Sequence, residues 1–487
     1  MTVKKLLTHM MVAAVALSGF AASIAPTPTN AMVVSEQAQP TARYMVGTKA
    51  GTQGIEQAIQ QLGGSIVDEW TFINTYLVEI DPSKASSIQS VPGVVFINQD
   101  EKVVENKGSS KTSDDKLIAN VYQSVITSDK VVKKGITGKG VTVAVVDSGI
   151  ANGAQSDFRK RVSANAKFST AGNMSDSFGH GTHVASILGG DGTQSNGAYP
   201  GVAPGVNIVN VKVSDDEGKA GEQNLVEGLE WIYDNHKKYN IRVVNISNQI
   251  ATQQNYKESA TNAAVELLWH KGIVVVVSAG NQGGTSCSTC YAPANDPFVI
   301  TVGSIDDKGT KDTADDSLKN WSSNGLTSEG FSKPEVVAPG SKITAYMPKG
   351  DLRGLKPENV VSNDYFTMGG TSMSTPMVSG IVALMLEQNP NLTPDQVKWI
   401  LKNTTRSYGK QPAGSAGLVT ADAAVFFNPS NIPANVAQNF ELSSLITAAV
   451  DDDVNLDTPD SWSNIAWRNV SWSNIAWRNI AWRNNFD

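Results

Sequence analysis

The sequence predicts an α/β protein: a large domain on a mainly parallel sheet with helices on both faces, preceded by a small α/β module. Two patterns carry this. Between about residues 121 and 427, short Val- and Ile-rich runs alternate with longer segments of helical period, and near-continuous apolar strands separated by helices suit a sheet covered on both sides. Over residues 42 to about 105 the order is strand, helix, strand and then strand, helix, strand, a ferredoxin-like arrangement. One feature stands apart from both: five of the ten Trp fall within the last 26 residues.

Composition narrows the classes. The 487 residues allow about three domains at roughly 150 residues each. A net charge of −7 and a pI near 5.4 leave no basic footprint for nucleic acid. No apolar run of about 18 residues is present to span a bilayer, and two Cys cannot build a disulfide scaffold.

Taken in order, residues 1 to about 31 run from Lys4 and Lys5 through the apolar Met10 to Leu17 into the mostly small segment Ser18 to Ala25. That is the order of a secretory signal peptide, with cleavage expected between Ala21 and Ala31 and export as the consequence. Pro26 and Pro28 oppose the competing reading as a buried helix. In the module, Arg43 to Val46 is extended and Ile55 to Leu62 is helical, with Ile55, Ile59 and Leu62 on one face. Ile66 to Phe72 and Thr75 to Ile80 follow as strands, Ser83 to Ser90 as a short helix and Val94 to Asn98 as the last strand. It holds no polar cluster resembling an active site. The Lys-, Ser-, Asp- and Gly-rich stretch Glu105 to Lys116 reads as an exposed linker.

In the large domain the strand runs are Val141 to Val146, Ile208 to Val213, Arg242 to Ser247, Ile273 to Ser278 and Phe298 to Val302. The helical segments include His180 to Leu188, Gln223 to His236, Ala260 to His270, Ser372 to Gln388 and Pro394 to Asn403. Reactive groups in such a sheet gather at the carboxyl ends of the strands.

Three motifs sit there. Asp147 ends the first run in Asp147-Ser-Gly-Ile, where a carboxylate can orient an imidazole; alone it is equally a strand-end turn residue. His180 begins a helix in Asp176-Ser-Phe-Gly-His180-Gly-Thr-His183, and the glycines beside it let other backbone approach the ring. His183 makes an HxxH pair with His180, but no acidic ligand pattern accompanies it, and a structural role is the better reading. In Gly369-Gly-Thr-Ser372-Met-Ser-Thr-Pro376, Ser372 opens a helix near the positive end of its dipole, and Gly370 permits close approach of a carbonyl. A serine there is either an N-cap or, with a base beside it, a nucleophile.

In chain order the three pieces run Asp, His, Ser, as in subtilisin. Asp147-Ser-Gly, His180-Gly-Thr-His-Val-Ala and Gly370-Thr-Ser-Met-Ser-Thr-Pro resemble the three signatures of the subtilisin-like serine proteases, and the likeness extends over roughly residues 121 to 427. The resemblance implies a subtilisin-like fold and a serine endopeptidase acting through an acyl-enzyme. Asp147 would orient the ring, His180 would act as base and acid, and Ser372 would be the nucleophile. Asn281, ending Val274-Val-Val-Val-Ser-Ala-Gly, would be the oxyanion donor beside the Ser372 N–H. A non-catalytic binding protein on the same scaffold competes with this, but all four residues are present.

Further implications follow from the resemblance. Ser247, Asn248 and Gly370 fall where substrate would bind, and Asn248, Gln249 and Ile250 replace the family's usual Leu-Gly-Gly, so a wide apolar pocket is not expected. Tyr44-Met-Val-Gly and Val91-Pro-Gly-Val-Val-Phe-Ile-Asn-Gln-Asp are similar to the ends of the family's inhibitory propeptide. Self-cleavage is then expected between Glu105 and Val121, with the propeptide as an intramolecular inhibitor. The chemistry needs no cofactor. Calcium is the structural ion the resemblance allows, with Asp157 near one ligand position and Gly189 to Gly197 replacing the usual calcium loop; a surface carboxylate is the competing reading. Export favours a small disulfide between Cys287 and Cys290 over a zinc site, which lacks a second Cys pair.

The chain thus divides into a signal peptide (1–31), a propeptide (32–110), a catalytic domain (111–428) and an extension (429–487). The extension ends in Trp462-Ser-Asn-Ile-Ala and its repeats at Trp467, Trp472, Trp477 and Trp482. A spacing of five gives no single aromatic stripe on a helix or a strand. A cell-surface appendage competes there with an unstructured or removable extension. The expected product is a secreted monomer acting on proteins or peptides, without nucleic acid.

Overall fold

The computed structural model describes residues 41–49, 51–100, 120–250, 252–443 and 445–446. The expected signal peptide, the Glu105 to Lys116 linker and the Trp repeats lie outside the described residues.

The small module is a four-stranded antiparallel sheet in the order β2-β3-β1-β4. Its strands are β1 (Ala42–Thr48), β2 (Ser65–Trp70), β3 (Thr75–Ile80) and β4 (Val94–Gln99), with helices α1 (Ile55–Gln61) and α2 (Pro82–Ile88). Alternation along the strands sends successive side chains to opposite faces. Val46, Val78 and Ile80 therefore pack under Ile55, Ile59 and Ile88 of the helices. Met45, Leu77 and Phe96 point the other way, into the core shared with the large domain. Gly47 makes this face workable, because a Cβ there would lie 1.9 Å from the Phe96 ring. The strand expected to reach Phe72 stops at Trp70, and Thr71–Ile73 turns as a 3₁₀ helix. That turn places Phe72 and Ile73 in the shared core, where the Phe72 ring lies 5.8 Å from Tyr233.

The large domain is an eight-stranded, mainly parallel sheet, and the order along it is β11-β10-β9-β8-β5-β7-β6. These are β5 (Thr142–Asp147), β6 (Val162–Lys167), β7 (Asn207–Lys212), β8 (Ile241–Ile246), β9 (Val274–Ser278), β10 (Ile300–Asp306) and β11 (Ser317–Leu318). The strand Val336–Pro339 also pairs with β10, in parallel. The strand β6 escaped the sequence reading because it is a polar edge whose residues alternate in exposure rather than forming an apolar run. Two short helices, α3 (Tyr122–Val125) and α4 (Ser128–Val132), precede the sheet. The longer ones are α5 (His180–Gly189), α6 (Glu222–Tyr239) and α7 (Ala260–His270); after α8 (Asp351–Leu355) come α9 (Thr371–Gln388) and α10 (Pro394–Asn403). Helices α5 and α9 pack on each other and on the strands, as α6 and α7 do separately. The result is the helix-covered parallel sheet that the sequence predicts.

The chain after residue 428 does not leave the body at once. Leu442 and Leu445 are buried in the main core, and the Phe440 ring packs edge-on against Phe298 and Phe331. Among the described residues no helix is long and apolar enough to cross a membrane.

Candidate active site

Three neighbouring parallel strands end at one edge, and register fixes which residues meet there. Val146 stands opposite Ile246, and Ile246 opposite Val277. The next residues out are thus Asp147, Ser247 and Ser278, followed by Asn281. Residues 134 positions apart in the chain are brought to one place by the sheet alone.

Asp147 is buried at the end of β5, and its Oδ1 accepts the Ser148 N–H at 2.7 Å while facing His180 Nδ1 at 2.7 Å. His180 is the first residue of α5, after Gly179 in the left-handed region at φ 108°. Helix and strand end approach closely because of Gly181: a Cβ there would fall 2.3 Å from the Gly149 oxygen and 3.1 Å from the Asp147 Cβ. The approach is locked by Asp176, which sequence reasoning passed over. Its carboxylate accepts from the Ser148 hydroxyl (3.0 Å), the Gly179 N–H (2.7 Å), and the N–H and hydroxyl of Thr182 (2.8 and 2.6 Å). Burial raises its pKa, and those donors oppose the rise. Its position four residues before His180 was the available signal. His183 turns away: its Nε2 lies 3.1 and 3.0 Å from the carbonyls of Ile343 and Phe366, and burial lowers its pKa to about 3. A ring engaged in that way is a structural tie rather than a ligand.

Ser372 is the second residue of α9, after Thr371, so it is not the N-cap; Gly370 is. Pro376 inside the helix has no N–H to offer the Ser372 carbonyl four residues back. That carbonyl instead accepts the Ser247 hydroxyl at 3.1 Å, and the Ser372 hydroxyl donates to the Ser247 carbonyl at 3.0 Å. The Asn245 side chain continues the link, donating to the Ser247 hydroxyl and accepting from Ser379. Ser247, expected to touch substrate, thus uses its polar atoms to seat the start of α9. Asn248 similarly donates to the Val146 carbonyl at 3.3 Å.

Asn281 is held by Thr371, whose N–H and hydroxyl donate to its Oδ1 at 3.0 and 3.1 Å. With Oδ1 occupied, Nδ2 is directed toward Gly370. A Cβ on Gly370, which has φ 154°, would lie 3.4 Å from Asn281 Nδ2 and 3.7 Å from the Ser372 nitrogen. Two donors therefore converge where Gly370 leaves room. Gln249 is a departure of this chain: it is buried, neither side-chain polar atom has a hydrogen-bond partner among the described residues, and its Oε1 lies 2.3 Å from where a Gly280 Cβ would stand. Nearby, Cys287 and Cys290 are joined as a disulfide.

Asp157 can be tested for a cation. Its Oδ1 accepts the Gln194 N–H at 2.8 Å and its Oδ2 the Tyr365 hydroxyl at 2.6 Å. The Arg161 guanidinium bonds the carbonyls of Gly189 (2.6 Å), Val206 (3.1 Å) and Asp157 itself (2.7 Å). Hydrogen-bond donors occupy the oxygens that a hard cation would need, so this residue set does not fit calcium. Among the described residues no group of three or more His, Cys, Asp or Glu is placed to hold a metal ion.

An Asp–His pair at a strand end, a serine at the start of the helix packed beside α5 and two convergent N–H donors make a constellation that can be compared with known proteins. Residues 138–425, well over half the chain, match the Subtilase family. The chain is a subtilase. It is 35% identical over 365 residues to serine protease AprX of Bacillus subtilis (strain 168), covering 72% of this chain and 79% of that one. It is 28% identical over 388 residues to subtilisin E of the same organism, covering 78% and 90%. A solved cold-adapted subtilisin-like serine proteinase is similar at 28% identity and a TM-score of 0.46, covering 58% of this subtilase and 90% of that chain.

Proposed function

We propose that this subtilase is a secreted serine endopeptidase in which Ser372 is the nucleophile, His180 the general base and acid, Asp147 the orienting carboxylate and Asn281 an oxyanion donor. The 2.7 Å contact between Asp147 and His180 Nδ1 is the observation that carries this reading. It fixes the imidazole with Nδ1 toward the carboxylate, so the other nitrogen is the one left to exchange protons with Ser372.

The steps follow. The Ser372 hydroxyl turns from the Ser247 carbonyl toward His180, loses its proton to Nε2 and attacks the substrate carbonyl carbon; such bonds commonly tighten only with substrate bound. The oxyanion that forms accepts from Asn281 Nδ2 and the Ser372 N–H beside Gly370. His180 then gives its proton to the departing amine, leaving an acyl-serine, and a water repeats the sequence in reverse. No cofactor enters.

The leader pattern of residues 1 to 31, a charged start, an apolar run and a small-residue segment, supports export. The module of β1 to β4, packed through Phe72 and Ile73 on the large domain, supports its reading as an inhibitory propeptide cut between Glu105 and Val121 by the site itself. Labelling with a serine-directed phosphonate, with casein hydrolysis in parallel, tests the chemistry. Both should vanish in Ser372→Ala, and absence of label on processed wild-type protein would overturn the assignment. A Ser372→Ala precursor should also remain uncleaved when purified; trimming at the wild-type rate would refute self-processing.

A further inference from the structure

The start of the C-terminal extension is not an idle tail. Gln438 donates to the Phe298 carbonyl at 3.1 Å and to Asp395 at 3.0 Å. The Tyr256 hydroxyl donates to the Glu441 carbonyl at 2.9 Å, and Lys257 pairs with the Glu441 carboxylate. The Ser443 N–H is accepted at 2.7 Å by Glu266, which is wholly buried in α7, and the Ser443 hydroxyl reaches the Lys257 carbonyl at 3.0 Å. This run of contacts ends across a boundary. The Asn74 side chain, in the small module, donates to the Leu445 carbonyl at 3.0 Å.

Asn74 is firmly placed. It turns the chain between the 3₁₀ helix and β3 at φ 47°, and its own carbonyl accepts the Thr48 N–H at 2.8 Å. Leu442, Leu445 and Ile446 are buried in the same apolar cluster as Trp70, Phe72 and Ile73 of the module and Leu225, Leu229 and Leu267 of α6 and α7. Residues early and late in the chain thus share one core, separated by about 370 positions.

We propose that residues 438–443, with Leu445 and Ile446, are a latch that completes the surface on which the module sits, so that the module is held on the protease by the extension as well as by α6 and α7. Its regulatory meaning rests on the reading of the module as an inhibitor. Displacing or trimming the latch weakens the hold on the module and shortens inhibition.

The test uses the full-length chain carrying Ser372→Ala, which separates the latch from any self-cleavage. Hydrogen–deuterium exchange is compared in this background with Leu445→Asp and with Asn74→Gly, the latter keeping the left-handed turn while removing the side chain. Exchange across β2 and β3 should rise by about tenfold for Leu445→Asp and about fivefold for Asn74→Gly, with β5, β8 and β9 unchanged. Should Leu445→Asp also loosen β5 and β8, Asn74→Gly decides alone. Release of residues 438–443 with module exchange unchanged would overturn the latch. With Ser372 restored, activity should appear earlier in both variants. If exchange rises but the timing of activity stays the same, the inhibitor reading falls and the latch stands.

Discussion

Thr371 donates two hydrogen bonds to a single oxygen of Asn281, one from its backbone and one from its hydroxyl. The pair decides which end of the Asn281 amide faces Gly370. Thr371→Val keeps the shape and the backbone bond but removes the hydroxyl, which leaves the amide freer to turn. We expect kcat to fall by about tenfold with KM little changed, against on the order of 10²–10³ for Asn281→Ala. A fall expressed mainly in KM would assign Thr371 to substrate binding instead.

Asp176 ties the turn after Asp147 to the start of the His180 helix through four donors. In Asp176→Asn one acceptor oxygen becomes an NH₂ facing Thr182, leaving buried donors unmatched. We expect a loss of about 1–3 kcal/mol in stability, read as a lower urea midpoint in a Ser372→Ala background. With Ser372 present, kcat should drop as well. Asp147→Asn differs: it should cost about 10⁴ in kcat through the wrong imidazole tautomer, with much less effect on the urea midpoint.

Arg161 gathers three carbonyls around Asp157, and Tyr365 and Gln194 take the carboxylate oxygens. A fixed guanidinium there predicts indifference to chelators at this site. Excess EDTA should move the melting temperature by less than about 2 °C, whereas Arg161→Ala should lower it on the order of 5–10 °C. Added calcium should not rescue the variant. A chelator effect as large as that of Arg161→Ala, traced to Asp157 by Asp157→Asn, would contradict this account.

Glu266 and Asp296 are both fully buried, and burial raises both pKa values, that of Asp296 to about 6. The carboxyl oxygens that find no donor among the described residues, Oε1 of Glu266 and Oδ2 of Asp296, are satisfied if one proton is shared between the two groups. In the unfolded chain both would ionise near pH 4. Above that pH the folded state holds more protons than the unfolded state, so stability declines as pH rises through the folded values. Asp307, raised to about 6, and Asp316, raised to about 7, add to the same slope. Glu266→Gln supplies the hydrogen without a titrating proton. Between pH 4.5 and pH 8 its stability should therefore fall less than that of the parent, by about 1–3 kcal/mol. Equal shifts at both pH values would show that no proton is shared.

Much of the site is legible in the chain because its parts lie at junctions the local pattern reveals. Val141 to Val146 must be a buried strand, so Asp147 must emerge from it, and glycines on either side of His180 announce a close approach at a helix start. The internal Pro376 marks a carbonyl inside α9, that of Ser372, which must find its partner elsewhere. What failed locally failed for a physical reason. The edge strand β6 lacks an apolar run because an edge does not need one, and β2 ends before Phe72 because that ring packs in the core shared with the large sheet.

The sequence by itself determined most of the elements, their order and the chemical types at their ends, since period, glycine placement and proline act over a few residues. Only the tertiary structure decided who meets whom. The partners of Asn281, Asp176 and Asp157, and the meeting of Asn74 with Leu445, are chosen by sheet register and by which buried donors remain unmatched. Those are properties of the packed whole, where an unpaired polar group is costly and the nearest partner is set by folding rather than by distance along the chain.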